Sequence, residues 1–505
     1  MRLFEILLVL SNLYLLFSWF FRKEDPRKLW IASGISTLIF AGHLVMEGLR
    51  WQMAGLYFVT AAFLGRAGYK HIRKSADLKI PKLLTRSAGV FLLVLIILST
   101  LLSVYLPVFK LPEPTGDFEV GTQTLHFVDD SRDEIFTPDP NDKREIMVQV
   151  WYPAQNTGNK NPSPVFSDGK AFLKEFAKEF KIPELLVDYF KYVKSHAYKD
   201  GEISSSSASY PLVILNHGMG TSRFFHITQA ENLASHGYIV ASIDHTYSTA
   251  ATLFPDGRAA SFVTTDEKID TYETRSKVGK VWTQDVIFTI DQFEKINSGT
   301  IQTIFAGKVD LRNIGVFGHS FGGAAAYDSS YDSRIKAGIN MDGTLYGFIN
   351  KQSLTKPFMF MYSEQAIRLY HMFRPDYVPT DNELKSLGVS KEEYDKSKQN
   401  EDMKNGILEN ERIEKTVENG GCLLYISGTN HYNYADMQLI SPLSRLIGLT
   451  GEIKGERSAY IANQYILDFF NKYLKGTGGS LLEGPSADYP EVKFASSLFD
   501  ESIAK

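Results

Sequence analysis

The 505-residue chain has a single cysteine, Cys422. That excludes an internal disulfide and any metal cluster built on several thiolates. Net charge is also scarce: 54 Lys and Arg stand against 58 Asp and Glu, a formal −4 with histidine neutral. The chain as a whole therefore lacks the basic surplus that binds nucleic acid. No phosphate loop, cofactor motif or internal repeat is present, so neither a cofactor nor a metal is expected. Length alone implies more than one unit, because a single core seldom grows past about 250–300 residues.

Long apolar runs are present, and they crowd into one end. Residues 87–109 run 23 residues without a charge, enough to cross a ~30 Å hydrocarbon core as a helix. Residues 3–21 are apolar apart from Glu5, residues 29–46 apart from His43, and residues 51–65 form a shorter run rich in small side chains. Residues 1–110 are thus expected to be an all-α membrane unit of about four helices. The middle pair reads as a hairpin turning near Glu47, Gly48 and Arg50. The first run has no small-residue cleavage site after it and is followed at once by further apolar runs, so a retained span is expected rather than a signal peptide.

Orientation follows from Lys and Arg. Segment 22–28 holds four of them and segment 66–86 holds seven, whereas the hairpin and the N-terminus hold one each. Four spans place both basic loops on the cytoplasmic side. The expectation is a multi-pass protein of the cell membrane with everything after residue 110 outside. Residues 1–110 carry 14 basic and 5 acidic residues, a net +9, leaving −13 for the remainder.

Residues 111–505 read as one α/β domain. Apolar runs at 146–152, 211–215, 238–243, 313–317, 335–341, 357–362 and 422–426 predict strands. Helical patterns at 223–235, 280–296, 321–330 and 457–474 lie between or after them. Continuous apolar strands alternating with helices indicate a mainly parallel sheet covered on both faces. Residues 157–209 are polar and end in a serine run, 204–207, that reads as a loop. Residues 377–418 are strongly charged and read as an insertion, a helical lid over the site.

Gly318-His319-Ser320-Phe321-Gly322 follows the strand 313–317 and opens a helix. This strand–turn–helix context makes G-x-S-x-G informative. The glycines let strand and helix approach closely while Ser320 is held in a strained turn, its hydroxyl exposed at the helix N-terminus. A serine nucleophile needs a base. His431 follows the last core strand in Asn430-His431-Tyr432-Asn433-Tyr434 and fits that role; His319 reads as an elbow packing residue. The acid that orients the base stands at a strand end between them, and strand counting admits both Asp342 and Glu364. An oxyanion hole needs backbone donors: Phe321, after the nucleophile, and Met219 in Asn216-His217-Gly218-Met219-Gly220. His217 reads as structural, and Asp244-His245 is expected to line the same rim. Cys422 reads as core packing.

GHSFGGAAA (318–326), NHGMG (216–220), INMDG (339–343), PFMFMYSE (357–364) and ISGTNHYNYAD (426–436) resemble, in order and spacing, the segments of the plasma-type platelet-activating factor acetylhydrolases. The tail LIGLTGEIKGERSAYIANQYILDFFNKYL and the entry LPEPTGDFEVG are similar to that family too, so the likeness spans roughly residues 111–475. It implies an α/β-hydrolase fold and calcium-independent removal of short or oxidised acyl groups from phospholipids. It assigns Ser320 as nucleophile, Asp342 as acid in preference to Glu364, His431 as base, and Met219 and Phe321 as oxyanion donors. The expected partners are a lipid or short-acyl ester substrate and the bilayer. Two departures stand out: the four-span unit is not usual in that family, and the stretch 377–418 is longer than the matching connection. The competing expectations are a general carboxylesterase or polyester hydrolase on the same fold, and a binding protein built on a retired hydrolase.

Overall fold

A computed structural model describes residues 1–21, 25–72, 81–158, 160–265, 268–372, 377–387, 390–397 and 400–494. It divides into two compact units. One is Met1–Lys110 with the short segments Leu185–Val193 and Ile440–Leu443; the other is the rest of the chain.

The first unit holds helices α1 (Leu3–Phe21), α2 (Pro26–Met46), α3 (Ala54–Ile72) and α4 (Lys82–Tyr105). Among the described residues α1, α2 and α4 are long and apolar enough to cross a membrane. Their ends differ from the apolar runs for local reasons. Helix α2 starts at Pro26 because Asp25 caps it, accepting a hydrogen bond from the Arg27 amide, and proline suits the first helical position. Helix α3 continues seven residues past the apolar run to Ile72, since Arg66 and Lys70 are good helix formers. Helix α4 stops at Tyr105 because Leu106 precedes Pro107, which disfavours helical backbone there. The basic residues Arg22, Lys23, Arg73, Lys74 and Lys79 lie outside the described residues.

Leu8, Leu15, Leu16, Leu56, Val59, Phe63, Leu92 and Ile96 form the core of this unit. Leu10, Phe17, Ile31, Leu38, Phe91 and Val94 point outward, as a lipid-facing surface requires. One end holds buried charge. Arg50 donates to Glu5 (2.5 Å) and to the Leu106 carbonyl, Arg2 donates to Glu5, and His43 bridges Glu47 (2.9 Å) and the Tyr57 hydroxyl (2.7 Å). Glu5, His43 and Glu47 bring their donor atoms within 4.8 Å of one another. Two arginines already balance the two carboxylates, so the cluster closes on itself.

The second unit is built on one sheet of strands β1 (Glu119–Asp133), β2 (Lys143–Gln155), β3 (Pro162–Pro164), β4 (Lys194–Lys199), β5 (Glu202–Ile203), β6 (Tyr210–Asn216), β7 (Ile239–Asp244), β10 (Val309–His319), β11 (Ile335–Met341), β12 (Phe358–Ser363), β13 (Cys422–Ile426) and β14 (Val492–Phe494); β8 (Ala251–Leu253) and β9 (Ala259–Ser261) form a separate hairpin. The order is β14-β13-β12-β11-β10-β6-β7-β2-β1-β4-β3, with β5 on β2. Strands β7, β6, β10, β11, β12 and β13 run parallel, whereas β2 and β14 flank them antiparallel. Helices α5 (Gly169–Glu179), α6 (Ile227–Ser235), α7 (Tyr272–Asn297), α8 (Phe321–Ser329), α9 (Glu364–Met372), α10 (Asp381–Leu387), α11 (Lys391–Ser397), α12 (Glu401–Glu418), α13 (Met437–Ile440), α14 (Leu443–Leu446) and α15 (Gly455–Phe470) are the remaining α-helices among the described residues. The central strands are buried throughout, which is why they read as continuous apolar runs.

The polar stretch 157–209 holds β3, α5, β4 and β5, none of which the sequence pattern announces, while its serine run 204–207 is irregular. Phe172, Leu173 and Ala177 put one face of α5 in the core, a stripe that its three lysines and two glutamates obscure in the composition. The described part of 377–418 is helical, as α10, α11 and α12.

From β6 the chain crosses to β7 on one side and then returns to β10 on the other. The carboxyl ends of β6 and β10 therefore flank a topological switch point, where such sheets open a ligand crevice.

Candidate active site

Strand register sets the site. Asn216 pairs with Gly318 and Gly318 with Asn340, while His319 pairs with Met341. Ser320 and Asp342 are each the next residue, so they leave neighbouring strands at the same level. Both adopt left-handed backbone, φ 57° at Ser320 and φ 56° at Asp342, a conformation that costs a side-chain-bearing residue about 1–2 kcal/mol. Surrounding bonds hold them there. The Ser320 amide donates to the Met341 carbonyl and the Asp342 amide to the Met361 carbonyl, each at 2.9 Å. Gly318 and Gly322 make the turn sterically possible. A Cβ on Gly318 would strike the Gly322 carbonyl, and one on Gly322 would strike the Asn216 and His217 carbonyls.

Asp342 lies with its carboxylate almost wholly buried, 2% exposed. Its Oδ2 is 2.7 Å from His431 Nδ1, and its Oδ1 accepts from the Ser363 amide at 2.6 Å. His431 presents its ring at 36% exposure. Since a carboxylate can only accept, Nδ1 carries the proton, and among the described residues Nε2 has no hydrogen-bond partner. Glu364 is occupied elsewhere. Its Oε2 accepts from the Gly428 amide and its Oε1 from Arg368, each at 2.6 Å. It clamps the loop that leads to His431 rather than touching the imidazole.

The segment Gly428–Asp436 is fixed at many points. Asn433 Oδ1 accepts from the Asn430 amide (2.8 Å) and the Gly451 amide (2.7 Å). The Tyr434 hydroxyl donates to the Tyr362 carbonyl (2.5 Å). Asp436 is buried at the start of α6, accepting from the Ile227 amide (2.6 Å) and from Thr228. His319 Nε2 donates to the His431 carbonyl at 2.9 Å, with the two ring centres 4.6 Å apart. Sequence reasoning saw His319 only as packing.

Met219 follows β6 and Phe321 opens α8. Among the described residues neither amide has a hydrogen-bond partner. The loop around Met219 is rigid: Gly220 donates to the Ser248 carbonyl and Thr221 to the Gly218 carbonyl, each at 3.0 Å. His217 is fully buried against Trp282, with Nδ1 donating to the Gly218 carbonyl (2.7 Å) and Nε2 accepting from the His245 amide (3.2 Å). Burial and the nearby His245 hold its pKa well below the ordinary value, so it stays neutral and structural.

Asp244 and His245 do not line the rim; both are completely buried. Asp244 pairs with Arg223, which also reaches Asp168 at 2.5 Å. Burial raises the Asp244 carboxyl to about 6 against the pull of Arg223. His245 stacks on Trp282 with centres 3.9 Å apart and bridges Asn216 (3.0 Å) and Asp285 (2.9 Å). Burial opposes ionisation of Asp285, but Arg144, bound to both its oxygens at 3.0 and 2.6 Å, more than offsets this and keeps it anionic. This buried ionic network supports the loop that carries Met219, and no sequence motif announces it.

Beside Asp342 lies a cavity of about 360 Å³. Tyr272, Tyr346, Tyr362 and Tyr370 wall it, and Asn405 and Glu409 of α12 close it. Burial raises the Glu409 carboxyl to about 7, opposed by Arg412 and by the Tyr346 amide donating at 2.8 Å.

Residues 105–478 match the profile of platelet-activating factor acetylhydrolase, isoform II. A probable 1-alkyl-2-acetylglycerophosphocholine esterase of Arthroderma benhamiae is 26% identical over 411 residues, 76% of this chain and 94% of that protein. A platelet-activating factor acetylhydrolase of Cavia porcellus is 23% identical over 354 residues, 65% of this chain and 72% of that one. The solved ferulic acid esterase of Streptomyces cinnamoneus superposes with a TM-score of 0.57 at 25% identity, covering 77% of this chain and 99% of that one.

Proposed function

The chain belongs to the platelet-activating factor acetylhydrolase isoform II family of esterases, and on that basis we propose that it removes short acyl groups from glycerophospholipids through an acyl-enzyme on Ser320. The observation that carries this reading is the His431–Asp342 contact at 2.7 Å, with Ser320 leaving the neighbouring strand at the level of Asp342 in left-handed backbone. In the proposed cycle His431 Nε2 takes the Ser320 proton as Oγ attacks the ester carbonyl. The amides of Met219 and Phe321 stabilise the oxyanion, and Asp342 stabilises the imidazolium. His431 then protonates the departing alcohol oxygen, the lysophospholipid leaves, and water deacylates the serine with His431 again as base.

The first unit is proposed to anchor the enzyme in a membrane, with the second unit outside the cell. The apolar helices support the anchoring, and the outside placement rests on all four helices crossing, which brings the basic segments 22–28 and 66–86 to the same side. A second reading, hydrolysis of bulkier or aromatic carboxylic esters, is supported by the tyrosine-walled cavity beside Asp342 and by the likeness to an esterase of ferulic acid. Purified full-length protein offered a 2-acetyl phospholipid, a nitrophenyl acetate and a feruloyl ester discriminates the two. The first reading requires the phospholipid to have the highest kcat/KM, and a feruloyl ester turned over fastest overturns it. Ser320→Ala abolishes turnover of all three and labelling by a fluorophosphonate; retained activity rejects the nucleophile.

A further inference from the structure

His319 is the x of the G-x-S-x-G turn, and it is completely buried. Its Nε2 lies 2.9 Å from the carbonyl of His431, a residue 112 positions later in the chain. A carbonyl can only accept, so this nitrogen carries the proton and the ring is the neutral Nε2–H tautomer. A second buried histidine, His226, does the same three residues further along. Its Nδ1 donates to the Tyr434 carbonyl at 3.1 Å, supported by Gln229 at 3.0 Å. The two rings are 5.4 Å apart, and the remaining nitrogens, His319 Nδ1 and His226 Nε2, are buried without a partner among the described residues. Two polar side chains thus occupy the core behind the site, and each spends its one donor on the backbone segment that carries the proposed base.

We propose that His319 is a positioning residue for His431: its Nε2–H fixes the His431 backbone, and with it the line from Asp342 through the imidazole to Ser320. The inference rests on His431 being the base. The mechanical logic is direct. His319 is covalently next to the nucleophile and hydrogen-bonded to the base, so one side chain ties together two residues that different loops supply. Displacement of a catalytic group by about 1 Å costs on the order of 10²-fold in rate, and a single rigid donor at the base's own carbonyl opposes that displacement. Burial, reinforced by the neighbouring His431, holds the His319 pKa well below the ordinary value. The tie therefore stays uncharged while an imidazolium forms 4.6 Å away.

The experiment uses full-length protein in detergent with a nitrophenyl acetate, a fluorophosphonate probe and a thermal melt. Glutamine and asparagine at 319 separate the hydrogen bond from mere polarity, because the amide nitrogen of glutamine overlays His Nε2 whereas that of asparagine overlays Nδ1. His319→Gln is expected to keep kcat within about threefold. His319→Asn is expected to lose about 10- to 100-fold in kcat with KM within about threefold, and to slow fluorophosphonate labelling in parallel. Equal kcat for the two variants, or a loss confined to KM, overturns the proposal. If the asparagine variant shows no cooperative melt, His226→Gln against His226→Asn applies the same logic with the expected order reversed, since His226 donates through Nδ1. His431→Gln is run alongside. Its full activity would sink the assignment of the base itself, which is distinct from an inactive His431→Gln accompanied by indifferent His319 variants.

Discussion

Asp342 and Glu364 each end a strand of the parallel sheet, and strand counting alone gives either one a place opposite His431. Their local bonds separate them. Asp342 meets the imidazole at 2.7 Å, whereas Glu364 holds Gly428 and Arg368. Asp342→Asn is therefore expected to lower kcat by roughly 10⁴-fold while the protein melts near the parent temperature. Glu364→Gln is expected to change kcat less than about tenfold, because it keeps one oxygen for the Gly428 amide. Steady-state kinetics on both variants checks the pair, and the opposite ranking would exchange their roles. Ser320 and His431 were legible in the sequence because glycine spacing and chain order mark them. The part played by His319 was not, since a bond from a side chain to a carbonyl 112 residues away leaves no pattern in the chain. Cys422, which reads as core packing in the sequence, is half-buried at the start of β13. Burial pushes its thiol up to about 12, so at pH 8 the native protein is expected to react with a maleimide at least 10²-fold more slowly than after denaturation. Rapid labelling of the native form would contradict that.

Elements buried on both faces were the easiest to read. Strands β6, β7, β11, β12 and β13 appear as short apolar runs at nearly the observed bounds, whereas β10 extends well beyond its run 313–317 to Val309–His319. Helix α5 and strand β4 escaped because each is half exposed, and their charged positions dominate the composition of 157–209. Helix α12 shows what the charged stretch 377–418 contains: one face of this helix completes the cavity beside Asp342. Its Glu409 makes stability depend on pH. Burial raises the folded carboxyl to about 7 from an ordinary 4.5, with Arg412 opposing. The folded state then binds the proton more tightly than the unfolded chain. This contribution to stability is full below about pH 4.5 and lost as pH rises through 7. Glu409→Gln removes it, so the variant is expected to match the parent Tm near pH 5 and to exceed it by pH 7.5, by up to about 3 kcal/mol of stability. A parent-minus-variant difference that does not change with pH would refute the assignment.

At the scale of the whole molecule, the near-neutral charge is a sum of unlike parts, +9 in residues 1–110 and −13 beyond them. The apolar runs marked four helices, and four are present in that unit. Among the described residues α1, α2 and α4 meet the length and apolarity of a span, whereas α3 carries Arg66 and Lys70 inside its 19 residues. Hydropathy could mark the segment but not its role. The number of crossings decides which side of the membrane the two chain ends occupy. Four crossings put both ends on one side, and three put them on opposite sides. Epitope tags at residue 1 and residue 505, read by antibody on intact and permeabilised cells, are expected to stain together without permeabilisation. A C-terminal tag reached only after permeabilisation would place the esterase unit inside.

The left-handed backbone at Ser320 and Asp342 has a consequence for how such a protein can evolve. Each residue is held, by bonds from the neighbouring strand, in a conformation that only glycine adopts freely. Ser320→Gly and Asp342→Gly are therefore expected to be inactive, and Ser320→Gly to melt a few degrees above the parent. Selection for heat resistance alone would favour the glycine at 320, leaving a longer-lived shell that no longer turns over substrate. Only continued demand for the reaction keeps the serine in place, so at this position the sequence records the work the protein has been required to do.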